Sequence, residues 1–346
     1  MANGGKILHL MGWDKKFVPS FIQFMNENFD REEHRFIVYG DVTEGDFPKG
    51  EGVIYLPHLL RAIRPLTAEL RGARKVIIHG MFSSHLYYIL MLKSWLLRKC
   101  YWTIWGGDLY IHESEQKDWR WKKNEWVRQF VISRLGHFIT QIRGDYELAQ
   151  KWYGAKGVWH ECFMYPSNLY QEEPVQNTPH HGINILLGNS AARSNNHIDA
   201  LEKLRPYAAD IIQVCCPLSY GDAEYAKQVA DYGKSIFGDK FNPLLEFMGF
   251  DDYKKLLARI DIAIFNHKRQ QGIGNITTLL GLGKSVYMRS DITSWGFFNQ
   301  LGVKLFDVKE LDLQRISQDE VMKNRKIISN YFSKDSLIRQ LQGVCE

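Results

Sequence analysis

No Cys-x-x-Cys pair occurs in this sequence, and its five cysteines (Cys100, Cys162, Cys215, Cys216 and Cys345) are scattered and odd in number. A zinc ribbon and a disulfide framework are therefore poor readings, and a reducing compartment is favoured. Long apolar runs are also missing. The most apolar stretch, 86–97, is interrupted by Lys93 and falls short of the roughly 20 residues that a bilayer span needs. The opening Met-Ala-Asn-Gly-Gly-Lys runs straight into an apolar strand pattern and leaves no room for a signal peptide. The expectation is a cytosolic protein that at most touches a membrane.

Charge of one sign is not in large excess either: 44 basic residues stand against 39 acidic ones, a formal net charge of +5. Without a groove-reading motif, that balance does not point to nucleic acid. Neither a Walker A sequence nor a Gly-x-Gly-x-x-Gly fingerprint is found, so P-loop hydrolysis and simple NAD binding lose support. An epimerase of nucleotide sugars would need that fingerprint and a Tyr-x-x-x-Lys pair. The absence of Asp-x-Asp and of a metalloprotease histidine pair leaves no reason to expect a metal or another cofactor. A Gly-x-Ser-x-Gly elbow is absent too, which counts against an α/β-hydrolase.

What is present is a chain of 346 residues, 45% hydrophobic and 24% charged, in the ordinary range for a globular protein and long enough for two domains. Short β-rich runs alternate with amphipathic helical patterns. Strands are expected at 7–11, 35–39, 52–56, 75–79, 101–105, 137–142 and 158–163, with helices at 18–28, 84–98, 118–135 and 145–153. The segment 166–182 carries three of the ten prolines and no apolar period, and reads as a linker. Beyond it, strands are expected at 183–187, 210–216, 244–248, 262–266, 285–289 and 303–306. Helices are expected at 197–204, 223–237, 252–259, from 275, and from 319 onward. Alternation of this kind predicts two tandem Rossmann-like, doubly wound α/β domains with a ligand cleft at the carboxyl ends of the strands. The expected division is 1–165, the linker 166–182, 183–320, and a helical segment 321–346 that packs back on the first domain.

Four stretches can carry chemistry. In the second domain, Gly188, Asn189 and Ser190 follow a strand and lead through Arg193 and Asn195 to a helix. Small residues there let backbone N–H groups approach an anion, and Arg193 offers a forked bond; an ordinary βα loop with an Asn cap is the alternative. The run from Asn266 to Asn275 also joins a strand to a helix and sets His267, Lys268 and Arg269 beside Gly272 and Gly274. Positive charge at a helix N-terminus is unfavourable unless an anion binds, which favours a phosphate site over the alternative, a solvated basic loop. Two such loops in one domain fit one diphosphate. In the first domain, His79 and Asp108 end adjacent strands, where either is a candidate base toward a hydroxyl or a purely structural partner. Finally, 117–134 interleaves six basic side chains with aromatic ones and contains two acidic ones. Trp119, Arg120, Trp121, Lys122, Lys123, Trp126 and Arg128 there read either as a surface for anionic lipid or as a solvated helix with an aromatic core face.

The residues also resemble one family. Trp102-Thr-Ile-Trp-Gly-Gly-Asp108-Leu-Tyr110, Leu187-Gly-Asn-Ser190, Arg193-Ser-Asn195 with His197-Ile198, and Arg269-Gln-Gln-Gly-Ile-Gly274 are similar to the TDP-N-acetylfucosamine:lipid II N-acetylfucosaminyltransferases of enterobacterial common antigen synthesis. Ile78-His79-Gly80, Arg143-Gly-Asp145 and Phe250-Asp-x-Tyr253 match as well. The pattern differs at Asn266-His267-Lys268, at Gly107 for an Ala, and at Ala191-Ala192 for a Gly-Asp pair. The resemblance implies a GT-B fold and a metal-independent glycosyltransferase. Such an enzyme moves a 4-acetamido-4,6-dideoxyhexose from a TDP-sugar to a polyprenyl-diphosphate-linked saccharide at the cytoplasmic face of the inner membrane. It further implies a donor site made of Gly188, Asn189, Ser190, Arg193, Asn195, Tyr253, Arg269, Gln270, Gln271, Gly272, Ile273 and Gly274. A membrane-associated nucleotide-sugar-binding protein without transfer activity, or a transferase using another donor, are the competing readings.

Overall fold

The computed structural model describes residues 5–41, 52–114, 117–171, 181–210 and 212–346. It divides into two compact units, 1–169 with 334–346, and 170–333. The change of unit falls inside the expected linker, whose middle, 172–180, lies outside the described residues.

The first unit is built on a seven-stranded sheet in which every neighbouring pair is parallel. Its strands are β1 (Ile7–Gly12), β2 (His34–Tyr39), β3 (Val53–Leu56), β4 (Lys75–His79), β5 (Cys100–Thr103), β6 (His137–Ile139) and β7 (Val158–His160), in the order β3-β2-β1-β4-β5-β6-β7. Parallel strands need long crossovers. The helices are α1 (Val18–Asn28), α2 (Ile63–Gly72), α3 (Ser84–Leu92), α4 (Trp119–Ile132) and α5 (Arg143–Tyr153). The continuous apolar run in β4 follows from its central place: Val76 lies beside Leu8 and Cys100, Ile78 beside Leu10 and Trp102, and all are buried. These residues share one cluster with Ile37, Phe138 and the inner sides of α3 and α4.

The second unit repeats the plan with β8 (Ile183–Leu187), α6 (His197–Leu204), β9 (Ile212–Pro217), α7 (Ala223–Phe237), β10 (Phe241–Leu244), α8 (Phe250–Arg259), β11 (Ile262–Phe265), α9 (Ile273–Gly281), β12 (Ser285–Met288), α10 (Thr293–Gln300), β13 (Phe306–Asp307) and α11 (Gln318–Tyr331). The order is β10-β9-β8-β11-β12-β13, again all parallel. In each sheet the winding reverses once, between β1 and β4 and between β8 and β11.

Several sequence boundaries shift. The strand expected at 244–248 ends where it was expected to begin, because β10 is an edge strand and tolerates Pro243. Helices α2 and α10 were not anticipated. The stretch 84–98 is an α-helix followed by a 3₁₀ turn at Ser94–Lys99. The segment 321–346 is split: α11 stays in the second unit, while α12 (Lys334–Cys345) joins the first. There Lys75 Nζ donates to the Val344 carbonyl at 2.9 Å, and the Phe163 N–H to Gln340 Oε1 at 3.1 Å.

Candidate functional site

In the second unit the loops that leave β8 and β11 flank the reversal of strand order, the place where doubly wound sheets leave a crevice for a ligand. The structure stitches these two loops together. Lys268 N–H donates to the Ser194 carbonyl at 2.9 Å, Ser194 Oγ to Gln271 Oε1 at 2.6 Å, and Gln271 Nε2 to Asn189 Oδ1 at 3.2 Å. Beneath them, Asn266 Nδ2 donates to the Asn196 carbonyl and to Asp199 Oδ2 at 3.1 and 2.8 Å. Asn195 is buried and organises the first loop: its Oδ1 accepts the Asn189 N–H at 3.1 Å, and its Nδ2 reaches Ser190 Oγ at 3.2 Å.

Glycine is required at two points. Gly188 has φ +70°, and a side chain there would meet His197 Nε2 at 2.5 Å. Gly272 has φ +69° and caps α9, whose first residues are Ile273 and Gly274. Tyr253 on α8 accepts the Asn275 Nδ2–H at 3.1 Å, next to the start of α9.

Within the second unit, buried polar atoms without a partner concentrate here. Both ring nitrogens of His197, the Oδ1 of Asn266 and the Oε1 of Gln270 have none among the described residues, and His267 leans on the Gln271 main chain without a well-directed bond. A second such group, at Tyr87, Thr103, Glu125 and Arg128, lies in the first unit; a buried polar atom left without a protein partner is one that a water, an ion or a ligand can complete. Two sequence expectations need correction. His267 is not a basic group: burial, with His197 and Arg269 nearby, holds its pKa down to about 3. Arg193 does not hold its fork open for an anion, because Nε and Nη2 both bond Asp222 Oδ2 at 3.1 Å and the guanidinium lies over Tyr225. Arg269 Nη1 donates to the Gln270 carbonyl at 3.1 Å, which folds it back over its own loop.

In the first unit, Asp108 is fully buried and accepts four N–H bonds. Met81 N–H and Trp102 Nε1–H reach one oxygen at 2.8 and 2.7 Å, and Trp105 and Leu109 N–H reach the other at 2.9 and 3.0 Å. Burial raises its pKa, against the pull of those donors and of Arg128. His79 has both nitrogens engaged, Nε2 with His9 and Nδ1 with Tyr165. The expected pair of bases is thus corrected to two internal anchors that fix the turns after β4 and β5. Neither presents a free lone pair to a substrate hydroxyl.

The basic-aromatic stretch is divided by helix geometry. Trp119 and Trp126 are 69% and 62% exposed, and Arg120, Lys122 and Lys123 are exposed beside them. Trp121 is half-buried, with Nε1 donating to the Ile111 carbonyl at 3.2 Å. Arg128 is 2% exposed and belongs to the core. Its Nη2 donates to the Asp108 carbonyl and to Tyr153 Oη, and its plane lies between Tyr87 and Tyr153. Arg128 is therefore withdrawn from the surface set.

The family described as 4-alpha-L-fucosyltransferase, glycosyl transferase group 56, matches residues 7–334 of the chain. The chain belongs to that family. Solved structures agree on the fold of this fucosyltransferase-family chain. HepE from Anabaena, solved with UDP and glucose, superposes with a TM-score of 0.68 at 14% identity, covering 98% of this chain and 99% of that one. A glycosyltransferase from Rickettsia africae gives 0.66 at 12% identity, covering 99% and 98%. Sucrose-phosphate synthase from Thermosynechococcus elongatus gives 0.67 at 11% identity, covering 98% of each chain. The fold is GT-B, and this member of group 56 is a glycosyltransferase.

No sequence motif picks out Tyr165 or the histidines His9 and His34, and Ser194, Asn266 and His197 stand inside the quoted motifs without a role of their own. His9 gives little signal because it is one polar residue in the apolar run of β1, and the others have no spacing that ties them to a distant partner. Their burial has a measurable consequence. His79 in one unit and His267 in the other are held neutral, each with its pKa lowered to about 3 from 6.5 in the unfolded chain. Between pH 6.5 and 3 the unfolded chain binds more protons, so stability present above pH 6.5 is lost as pH falls. The loss is about 2 kcal/mol per ring by pH 5. Urea unfolding at pH 7 and pH 5 should therefore show both units weakened; a flat stability over that interval would contradict the neutral buried rings.

Proposed function

We propose that this glycosyltransferase moves a 4-acetamido-4,6-dideoxyhexose of the N-acetylfucosamine type from a TDP-sugar to a polyprenyl-diphosphate-linked saccharide. The observation that carries the donor half is the stitched pair of loops at the reversal of the second sheet, with its unpartnered His197, Asn266 and Gln270 atoms. A diphosphate supplies acceptor oxygens in the place where N–H groups gather at the start of α9. The occurrence of UDP in the HepE structure supports a nucleoside diphosphate as the ligand class on this fold. The sugar and the TDP base rest on the family and its motifs.

In this reading the N–H groups of Gly272, Ile273 and Gly274 cradle the diphosphate, with Asn189, Ser190 and Gln271 setting the opposite loop. Arg269 swings from the Gln270 carbonyl to the phosphates as negative charge grows on the leaving group. Arg193 and Asn195 hold the loop's shape. Protein N–H groups and Arg269 replace a metal ion as the source of charge stabilisation. The acceptor saccharide is held by the first unit around the Trp105–Asp108 turn. With Asp108 and His79 committed to internal bonds, we assign them positioning roles. The departing diphosphate then takes the proton that the acceptor hydroxyl loses as its oxygen bonds the anomeric carbon, a route that fits retention.

The donor assignment is tested by calorimetric titration of TDP, together with transfer of radiolabelled sugar from its TDP ester to butanol-extracted lipid-linked saccharides in EDTA. Arg269→Ala should weaken TDP binding by about 1.5–3 kcal/mol, the scale of a charged hydrogen bond. Arg269→Lys should recover part of it. Unchanged affinity in the alanine variant refutes the role of Arg269. TDP binding without transfer favours a binding protein, and strict Mg²⁺ dependence refutes the metal-free mechanism.

We further propose that the exposed side of α4 docks on the anionic cytoplasmic leaflet of the inner membrane where the acceptor resides, as a peripheral contact. No helix among the described residues is long and apolar enough to cross a membrane. Trp119 and Trp126 offer interfacial rings, and each Lys or Arg near anionic lipid contributes about 1 kcal/mol. Lys122→Glu with Lys123→Glu should reduce flotation with phosphatidylserine-containing liposomes and leave TDP affinity unchanged. Equal flotation of both proteins would assign α4 to solvent.

A further inference from the structure

A line of hydrogen bonds crosses the sheet of the first unit on the face opposite the cluster of Leu8, Leu10 and Ile78. His34 opens β2, His9 lies in the middle of β1 and His79 closes β4, so the line climbs from one end of the sheet to the carboxyl ends of the strands. His34 Nδ1 is 3.0 Å from His9 Nε2, and His9 Nδ1 is 3.0 Å from His79 Nε2. His79 Nδ1 is 2.7 Å from the Tyr165 hydroxyl, and the Trp105 indole Nε1–H donates to that same hydroxyl at 2.8 Å. His9, His34, His79 and Tyr165 are all buried, and Phe21 and Phe36 pack against the rings.

The proton positions in this line follow from its last member. Burial keeps the imidazoles neutral, with His79 pushed down to about 3, His34 to about 4 and His9 well below its ordinary value. Each ring therefore has one N–H and one lone pair. An indole N–H can only donate, so the Tyr165 oxygen accepts it. Among the described residues the one acceptor recorded for Tyr165's own proton is His79 Nδ1. Tyr165 thus donates to His79, His79 Nε2–H donates to His9 Nδ1, and His9 Nε2–H donates to His34 Nδ1. All three rings are Nε2–H tautomers. The reverse alignment would leave a buried Tyr165 proton without an acceptor.

What this line holds in place is Trp105. That ring begins the turn organised by Asp108, is half-buried, and meets Phe17, Tyr165 and Phe82 edge-on with centroids 4.8, 5.1 and 5.9 Å away. Phe82 is 53% exposed. Gly80 leaves room for both rings, since a side chain there would meet Phe82 at 2.7 Å and Trp105 at 3.5 Å. An oriented indole next to an exposed phenyl ring, at the carboxyl ends of β4 and β5, is an apolar surface with a polar turn at its edge. A pyranose has the complementary form, a face of C–H groups rimmed by hydroxyls. We propose that Trp105 and Phe82 form the stacking platform for a pyranose ring of the acceptor, and that the His34–His9–His79–Tyr165 line is the positioning device that fixes the platform. The assignment rests on the reading of the acceptor as a saccharide.

Two readouts on the full chain test it. In ¹⁵N-histidine spectra of the wild type, His9, His34 and His79 should all report Nε2–H. Tyr165→Phe removes the donor that sets the alignment, so the His79 signal should shift toward the other tautomer; an unchanged His79 would overturn the positioning role. Saccharides released from the lipid extract by mild acid should move the Trp105 indole N–H resonance whether or not a TDP-sugar proves to be the donor. No movement would overturn the platform even with transfer intact. In transfer assays Trp105→Ala should raise the acceptor KM about three- to tenfold, the scale of an aromatic contact, with the donor KM unchanged. Trp105→Phe should fall between. Equal effects on both KM values would reduce Trp105 to a packing residue.

Discussion

A parallel sheet delivers every strand's carboxyl end to the same edge, and a single reversal of winding leaves two of those ends without a helix between them. Both units of this glycosyltransferase are subject to that constraint, and they meet it differently. In the second unit the gap between β8 and β11 is bridged by side chains of the two loops, Ser194, Gln271, Asn189 and Asn266, yet buried atoms of His197, Asn266 and Gln270 remain unpaired. In the first unit, whose reversal lies between β1 and β4, the turns after β4 and β5 are tied by Asp108, which takes four N–H groups, and by the line through His79 and Tyr165, while the buried Thr103 hydroxyl at the end of β5 has no partner among the described residues.

That difference has a physical meaning. Unpaired buried groups cost free energy until something binds, and the unpaired atoms here include the acceptors Asn266 Oδ1 and Gln270 Oε1 and the His197 ring, so the proposed ligand has to bring hydroxyl or N–H donors as well as acceptor oxygens, as a nucleotide sugar does. The turn held by the four N–H bonds to Asp108 is rigid by comparison, which suits the positioning role proposed for it. Charge tells the same story. Lys268 and Arg269 stand beside the α9 N-terminus, Arg269 donating to the Gln270 carbonyl, whereas Arg128 sits over Tyr87 and Tyr153 and binds the Asp108 carbonyl.

The alternation of apolar strands and amphipathic helices made the architecture legible, and β4, β8, α1, α6 and α7 fall at their expected limits. Periodicity reports burial, and in these elements burial is uniform. It could not place β10, where Pro243 is allowed by an edge position that only the assembled sheet reveals. The loops after β8 and β11 were legible because glycine next to a strand end has few other uses, and the structure brings them together. Side-chain roles were not legible. Arg193, Arg128, His79 and Asp108 are each of a type that touches substrates, and their engagement with Asp222, Tyr153, His9 and Met81 depends on residues distant in the chain. Pairing across the fold decides whether a polar residue is an anchor or a tool, and the sequence order conceals it.

The central claim is that the crevice between β8 and β11 is completed by a nucleoside diphosphate. Hydrogen exchange with and without TDP, followed by mass spectrometry, reads that claim directly. The account predicts slowed exchange in peptides covering 188–196 and 266–275, where loop amides become bonded, with the strands of both sheets unchanged. Slowing confined to the first unit, or none in those two loops at saturating TDP, would contradict it.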